Sequence, residues 1–173
     1  GGRLVMATDG HVISPLFFPG GDIGHLAVHG TVNDLAMMGA TPLHLTVSVI
    51  LEEGLTLPDL VRIACSMADT ACEAGVAIVT GDTKVVERGK GDGIYISTAG
   101  LGWVAPEVRL SGQNAQVGDA IVLSGPIGEH GMAVLSQREG LQFESPISSD
   151  TAPLNSLVQA MLRSGARLRV LRD

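Results

Sequence analysis

Gly20-Gly21-Asp22-Ile23-Gly24-His25-Leu26-Ala27-Val28-His29-Gly30-Thr31-Val32-Asn33-Asp34-Leu35-Ala36-Met37-Met38-Gly39 reads as one buried helix with a single charge in its body after Asp22. Asp is a favoured N-cap and Gly a favoured stop, so Asp22 and Gly39 bracket the element. Ile23, Leu26, Ala27, Gly30, Asp34, Met37 and Met38 share one stripe at i, i+3, i+4, i+7 spacing. Val28, Val32, Leu35 and Ala36 occupy the opposite side, which predicts a helix buried nearly all round. Between Asp22 and Glu52 the only charged residue, with histidines neutral, is Asp34. An unpaired buried carboxylate is very costly, and no basic residue stands nearby in sequence to pair with it. A bound cation or a cationic side chain from elsewhere meets that need; a wet rim shared with Asn33 is the plainer alternative.

Outward from this helix, strands and helices alternate. Arg3 to Asp9 predicts a strand that delivers Asp9 at its carboxyl end, with Gly10-His11 as a turn. Val12 to Phe18 is extended but irregular around Pro15, and Pro19-Gly20-Gly21 is a loop. Pro42 to Leu51 is a clear strand, with Leu43, Leu45, Val47, Val49 and Leu51 on one face and His44, Thr46 and Ser48 on the other. Glu52-Glu53-Gly54 is a solvated turn. Thr56 caps a second helix, with Pro58 in its first turn, and Gly75 stops it. Val76 to Thr80 is a strand running into Gly81-Asp82-Thr83-Lys84, and Ile94 to Val104 another. Pro106 to Gln116 reads as a linker. Beyond it follow a strand over 119–124, a helix over 129–138, a helix over 155–163 and a strand over 167–171. The fold class is α+β: a first module over 1–105, a linker over 106–116 and part of a second α/β domain over 117–173. The second part is too short to close a core alone.

The composition, 45% hydrophobic and 17% charged, is that of a folding chain, and 3% aromatics leave an aliphatic, Met-filled core. A formal charge of −7 with scattered basic residues argues against a nucleic-acid surface. Cys65 and Cys72 lie roughly 10 Å apart along one predicted helix and cannot bridge. They read as small apolar helix residues. With no signal peptide visible, a reducing cytoplasm is the simplest compartment, and no transmembrane segment is evident. The chain opens Gly-Gly without an initiator Met and stops just after a strand-like segment, which reads as a fragment.

Asp9, Asp34 and Asp82 fall where elements end or meet. Carboxylates with an amide oxygen from Asn33 suit a hard cation such as Mg²⁺, which engages phosphate oxygens. Lys84, two residues past Asp82, can neutralise a phosphate or the charge of a phosphoryl transfer. An ordinary turn with a solvated Asp and Lys is the alternative. Gly100-Leu101-Gly102-Trp103-Val104-Ala105 matches the dinucleotide fingerprint in letters, but Pro106 follows at once and no helix continues. His25 and His29 lack a third zinc ligand. Gly125 to Gly131 offers an anion nest at a helix start, with His130 nearby.

Phe17-Phe18-Pro19-Gly20-Gly21-Asp22-Ile23-Gly24, Gly30-Thr31-Val32-Asn33-Asp34-Leu35-Ala36, Ile50-Leu51-Glu52-Glu53-Gly54-Leu55 and Val79-Thr80-Gly81-Asp82-Thr83-Lys84-Val85-Val86 together resemble the HypE family of hydrogenase maturation factors. Ser124-Gly125-Pro126-Ile127-Gly128-Glu129-His130-Gly131 and Val170-Leu171-Arg172-Asp173 are similar as well. That family belongs to the superfamily of aminoimidazole ribonucleotide synthetase and selenophosphate synthetase. The resemblance implies an ATP-dependent carbamoyl dehydratase. It would convert an S-carboxamide on its own C-terminal cysteine to a thiocyanate, the source of the cyanide ligand on [NiFe]-hydrogenase iron. It implies Asp9 and Asp34 on the nucleotide's Mg²⁺ with Asn33 beside them, and Gly81, Asp82, Thr83 and Lys84 as the active-site segment. Asp82 and Lys84 are the catalytic candidates, Lys84 as the charge-stabilising cation. It further implies a homodimer built on a β-barrel, with the ATP site beside the interface. A carbamoyltransferase, HypF, and the HypC–HypD complex are the implied partners. Neither Cys65 nor Cys72 matches the tail cysteine, and the Gly-rich segment that covers the phosphates is not found, so this chain alone is expected not to turn over. Another enzyme of the superfamily, or a non-catalytic dimerisation fragment, are the competing readings.

Overall fold

In the computed structural model, which describes residues 1–141, 143 and 145–173, the centre is a four-stranded sheet. Its order is β1 (Arg3–His11), β6 (Ile94–Val104), β4 (Thr41–Glu52) and β5 (Ala77–Val86). The β1–β6 and β6–β4 pairs are antiparallel, and β4–β5 is parallel. A two-stranded ribbon, β2 (Phe17–Phe18) with β3 (Gly21–Asp22), leads into α1 (Ile23–Met37). Helix α2 (Leu57–Ala74) joins β4 to β5, and α3 (Glu129–Glu139) and α4 (Asn155–Arg163) complete the order. The architecture is α+β as expected, with an open sheet and no closed barrel among the described residues. None of the described helices is long and apolar enough to cross a membrane.

Both long helices begin and end where their caps require. The Asp22 carboxylate accepts from the Gly24 and His25 amides at 2.7 and 3.2 Å, and α1 stops at Gly39, whose φ of +76° an L side chain rarely adopts. Thr56 accepts from the Asp59 amide at 3.2 Å to open α2, and Gly75 closes it in the left-handed region. One face of the sheet carries the core: Ile23, Val28 and Val32 of α1 and Ile63 and Met67 of α2 pack with Leu45, Ile94 and Ile96. The other face is open, showing Leu4, Met6, Ile50 and Trp103 to solvent.

The fingerprint-like Gly100 and Gly102 have a packing purpose. A Cβ on Gly100 would stand 2.6 Å from Thr31 Cγ2 and 2.8 Å from Leu35 Cδ1, so α1 seats directly on the backbone of β6.

Several expectations are corrected. Pairing of Gly10 and His11 with Ser97 and Ile96 carries β1 past Asp9, so Asp9 lies inside the strand and 10–11 is no turn. Gly21 pairs with Phe18, making a ribbon of the expected loop. The β4 register slips between Pro42 and His44, so Pro42 is buried and Leu43 is exposed, outside the Leu45 face. Gly81 to Lys84 pair with Val47 to Ile50, so β5 runs unbroken to Val86. The segments 119–124 and 167–171 are not strands: neither forms a ladder among the described residues, 167–171 offering another segment only the Arg169 carbonyl, and Ile121, Val122 and Leu123 stay exposed. Of the α1 stripe holding Asp34, Gly30, Met37 and Met38 are only half-buried, while Val28, Val32, Leu35 and Ala36 across from it are sealed. The Glu52 carboxylate is no free solvated turn group either; it accepts from the Gly89 and Gly93 amides and shapes the 87–93 loop.

The 106–116 stretch contains a 3₁₀ turn at Gly112–Asn114 and is tied to residue 169 by the Ser111 amide on the Arg169 carbonyl, 3.1 Å. The α4 region is laced to α1, to the end of α2 and to the residue before β4. Asn33 Nδ2 donates to the Ala152 carbonyl (2.9 Å) while its Oδ1 accepts from the Leu154 amide (2.8 Å). Asn155 donates to the Ala74 carbonyl, and Gln159 to that of Ala40.

Candidate functional site

β1 and α1 bring Asp9 and Asp34 into one neighbourhood. Val5, Ala7, Asp9 and His11 alternate onto the side of β1 that meets α1, and Gly30, one turn before Asp34, makes room for them. A Cβ at residue 30 would lie 2.6 Å from Asp9 Oδ2 and 3.0 Å from His11 Nε2. His11 Nε2 is 3.1 Å from Asp9 Oδ2, and the ring's other nitrogen is buried without a partner among the described residues. Below them Thr31 and Thr98 share a buried hydroxyl–hydroxyl bond of 2.6 Å.

Asp34 is half-buried on the wall of a cavity of about 260 Å³ that Met37, Leu110, Leu171, Arg172 and Asp173 also line. Desolvation raises its pKa above the usual carboxylate range, and the negative charges of Asp173 and Asp9 raise it further. Arg172 and His11 offset part of this. The predicted cationic need of Asp34 is thus only partly met from within the chain. Among the described residues, no group of three or more His, Cys, Asp or Glu converges on a metal position. Two carboxylates in mutual repulsion fit Mg²⁺, which keeps several waters and is commonly held by one or two carboxylates together with substrate phosphates.

The structure does not bring Asp82 and Lys84 to this pair. β5 is separated from β1 by two strands, roughly 14 Å at the usual spacing. Asp82 and Lys84 align with Ser48 and Ile50, which point to the open face, whereas Asp9 lies on the α1 face. Lys84 Nζ sits 2.6 Å from Asp82 Oδ2, both side chains exposed. The hydrogen bond from Lys84, the Thr83 amide and the lysine's charge hold the Asp82 carboxyl below its ordinary range. Asn33, expected beside the metal, has both amide heteroatoms engaged by the 152–154 backbone.

The remaining candidates are accounted for within the fold. Asp150 accepts from the Glu129 and His130 amides at 3.3 and 3.1 Å, so a carboxylate of the chain itself occupies the expected anion nest at the start of α3. His25 Nδ1 is 2.8 Å from Ser66 Oγ, which donates to Asp22 at 2.7 Å, so His25 serves the helix cap. Cys65 and Cys72 are exposed on α2. Sequence reasoning missed His11, although its i, i+2 spacing from Asp9 on one strand face was the available signal. It also assigned no role to Arg172 and Asp173, which only folding brings to Asp34.

Residues 1–104 match the family described as AIR synthase related protein, N-terminal domain. The chain is 63% identical over 172 residues to the carbamoyl dehydratase HypE of Azotobacter vinelandii, covering 99% of this chain and 50% of that protein. It superposes on a crystal structure of hydrogenase maturation protein HypE in complex with ATP with a TM-score of 0.96 at 51% identity, covering 100% of this chain and 52% of that one. The HypE–HypF complex is matched with a TM-score of 0.95 at 54% identity, over 98% of this chain and 56% of that one. The chain spans about half the length of the curated relatives it matches. With a matched domain over most of its length and HypE-like sequence and shape throughout, the chain belongs to the AIR synthase related family and resembles its HypE carbamoyl dehydratases.

Proposed function

We propose that this chain supplies the nucleotide-binding, dimer-forming half of a cytoplasmic ATP-dependent carbamoyl dehydratase acting in hydrogenase maturation. The observation that carries the reading is Asp34 on a cavity wall, its ionised form disfavoured by burial and by neighbouring carboxylates that include Asp9, in a chain similar to a protein crystallised with ATP. Asp9 and Asp34 would hold Mg²⁺, which when bound neutralises triphosphate oxygens. Lys84, paired with Asp82, would supply an ammonium to the charge that accumulates as the γ-phosphoryl group moves. The reaction balances as S-carboxamide plus ATP giving thiocyanate, ADP and phosphate. The carboxamide oxygen takes the phosphoryl group while the bond to ADP breaks; nitrogen then loses its protons as the C–O bond breaks. HypF and the HypC–HypD complex are the proposed partners, the former supported by the similarity to a HypE–HypF complex.

Lys84 and Asp9 lie on opposite outer strands of the sheet, so a site using both asks for a second copy whose β5 comes beside β1. The open apolar face bearing Leu4, Met6 and Ile50 suits such an association.

Equilibrium dialysis with Mg²⁺ and ATP tests the proposal. Because the fold disfavours the ionised form of Asp34, its neutral isostere carries no stability cost: Asp34→Asn should leave the melting temperature unchanged or slightly higher. The same change should weaken Mg²⁺-dependent nucleotide binding by about tenfold or more. A folded wild-type chain that binds no nucleotide, or a variant that binds as well as wild type, sinks the reading.

A further inference from the structure

A second cavity, of about 370 Å³, opens between the end of β6 and the last turn of α4, and nothing in the proposed reaction uses it. It lies at the lower end of the size range of small-molecule sites. Arg109, Arg163 and Arg167 line it against a single acid, Glu107. In a chain of net charge −7 with only eleven basic residues, that concentration is exceptional. Among the described residues none of these three arginines is in an ion pair, whereas nearby Arg169 meets Asp119 at 3.2 Å. The helix dipole accounts for Arg163 in the last turn of α4, but not for Arg109 on the linker or Arg167 beyond the helix. Val108, Leu110, Leu162 and Leu168 give the walls apolar stretches beside Thr41 and Gln159, and the indole of Trp103, 43% exposed, forms one side.

We infer that this cavity binds a small organic anion, a phosphate or carboxylate head on an apolar body. The guanidinium groups take the head in forked hydrogen bonds, and Trp103 and Leu162 receive the body. This site is separate from the one beside Asp34; of the residues lining the two cavities only Leu110 is shared.

Trp103 is the chain's one tryptophan, so its fluorescence reports on this cavity directly. Phenyl phosphate, titrated without Mg²⁺ or nucleotide, should change Trp103 emission saturably, and Asp34→Asn should leave the curve unchanged. Inorganic phosphate should bind more weakly, and benzyl alcohol should give no saturable change. Arg163→Ala with Arg167→Ala should raise the half-saturating concentration about tenfold or more. Both side chains are exposed, so the variant should fold; Arg167→Gln alone carries the same test if it does not. A linear response, an identical curve with benzyl alcohol or an undiminished signal in the arginine variant overturns the inference. Since nucleotide takes no part, that result leaves the proposed function standing.

Discussion

His29 sits in α1, 4% exposed, with Nδ1 2.9 Å from Thr151 Oγ1 and a buried Nε2 that has no partner among the described residues. Burial, then the nearby His25, lowers its pKa to about 4. The folded value lies below the unfolded 6.5, so the unfolded chain binds more protons, and His29 favours folding fully above pH 6.5 and progressively less as pH falls through 4. Melting curves at pH 7 and pH 4.5 should show a smaller acid loss in His29→Gln than in wild type; equal losses would show that His29 has no part in it. Gly30, the next residue, separates stability from binding. Alanine there improves helix propensity by about 1 kcal/mol, and the nearest atoms it meets are side-chain ends that can swing away. Gly30→Ala should therefore melt no lower than wild type while displacing Asp9 and weakening Mg²⁺–ATP binding severalfold in the same dialysis experiment. The sequence shows Asp34 as an isolated charge, but not why Gly30 precedes it, because the Asp9 and His11 side chains that need the space lie about twenty residues away.

At the scale of elements, β6 and α1 are fitted to each other through missing side chains. Gly100→Ala would drive a methyl group into Thr31, Leu35 and Leu45, at 2.6, 2.8 and 3.1 Å, with no room among sealed neighbours. Overpacking of this kind costs about 1–3 kcal/mol. For a domain of this length that lowers the melting temperature by roughly 2–12 °C, which calorimetry can read; an unchanged melting temperature would falsify the close seating. The capped helices α1 and α2 were legible because their signals are local: Asp22 and Gly39, Thr56 and Gly75. Strands are legible only as far as their neighbours allow. The β4 pattern was read correctly from Leu45 onward, but the bulge at Leu43 depends on how β6 aligns, which no local pattern encodes. Residues 119–124 carry strand-forming side chains but pair with no strand among the described residues, so propensity alone does not make a strand there.

For the whole molecule, the two proposed half-sites lie on opposite outer strands of one open sheet, and a paired assembly is the simplest way to unite them. Sedimentation should then give about twice the 17.8 kDa chain mass. In the full-length protein, mixing Asp34→Asn with Lys84→Ala subunits should restore part of the activity each lacks, because a mixed pair retains one intact composite site. If mixing restores nothing although subunits exchange, Lys84 acts within its own chain or not at all. The sequence carried the ingredients of this site but not its division, since only sheet order reveals that Asp82 and Asp9 stand apart.

The amide lacing of Asn33, Asn155 and Gln159 also has a consequence for how the chain behaves when its backbone is broken. Residues 117–127 are exposed and lack regular structure, so a protease should nick them first. The severed carboxyl-terminal piece remains clasped through the 152–163 segment against α1, α2 and the start of β4. Nicked protein should elute as a single species under native conditions and part into two only in denaturant.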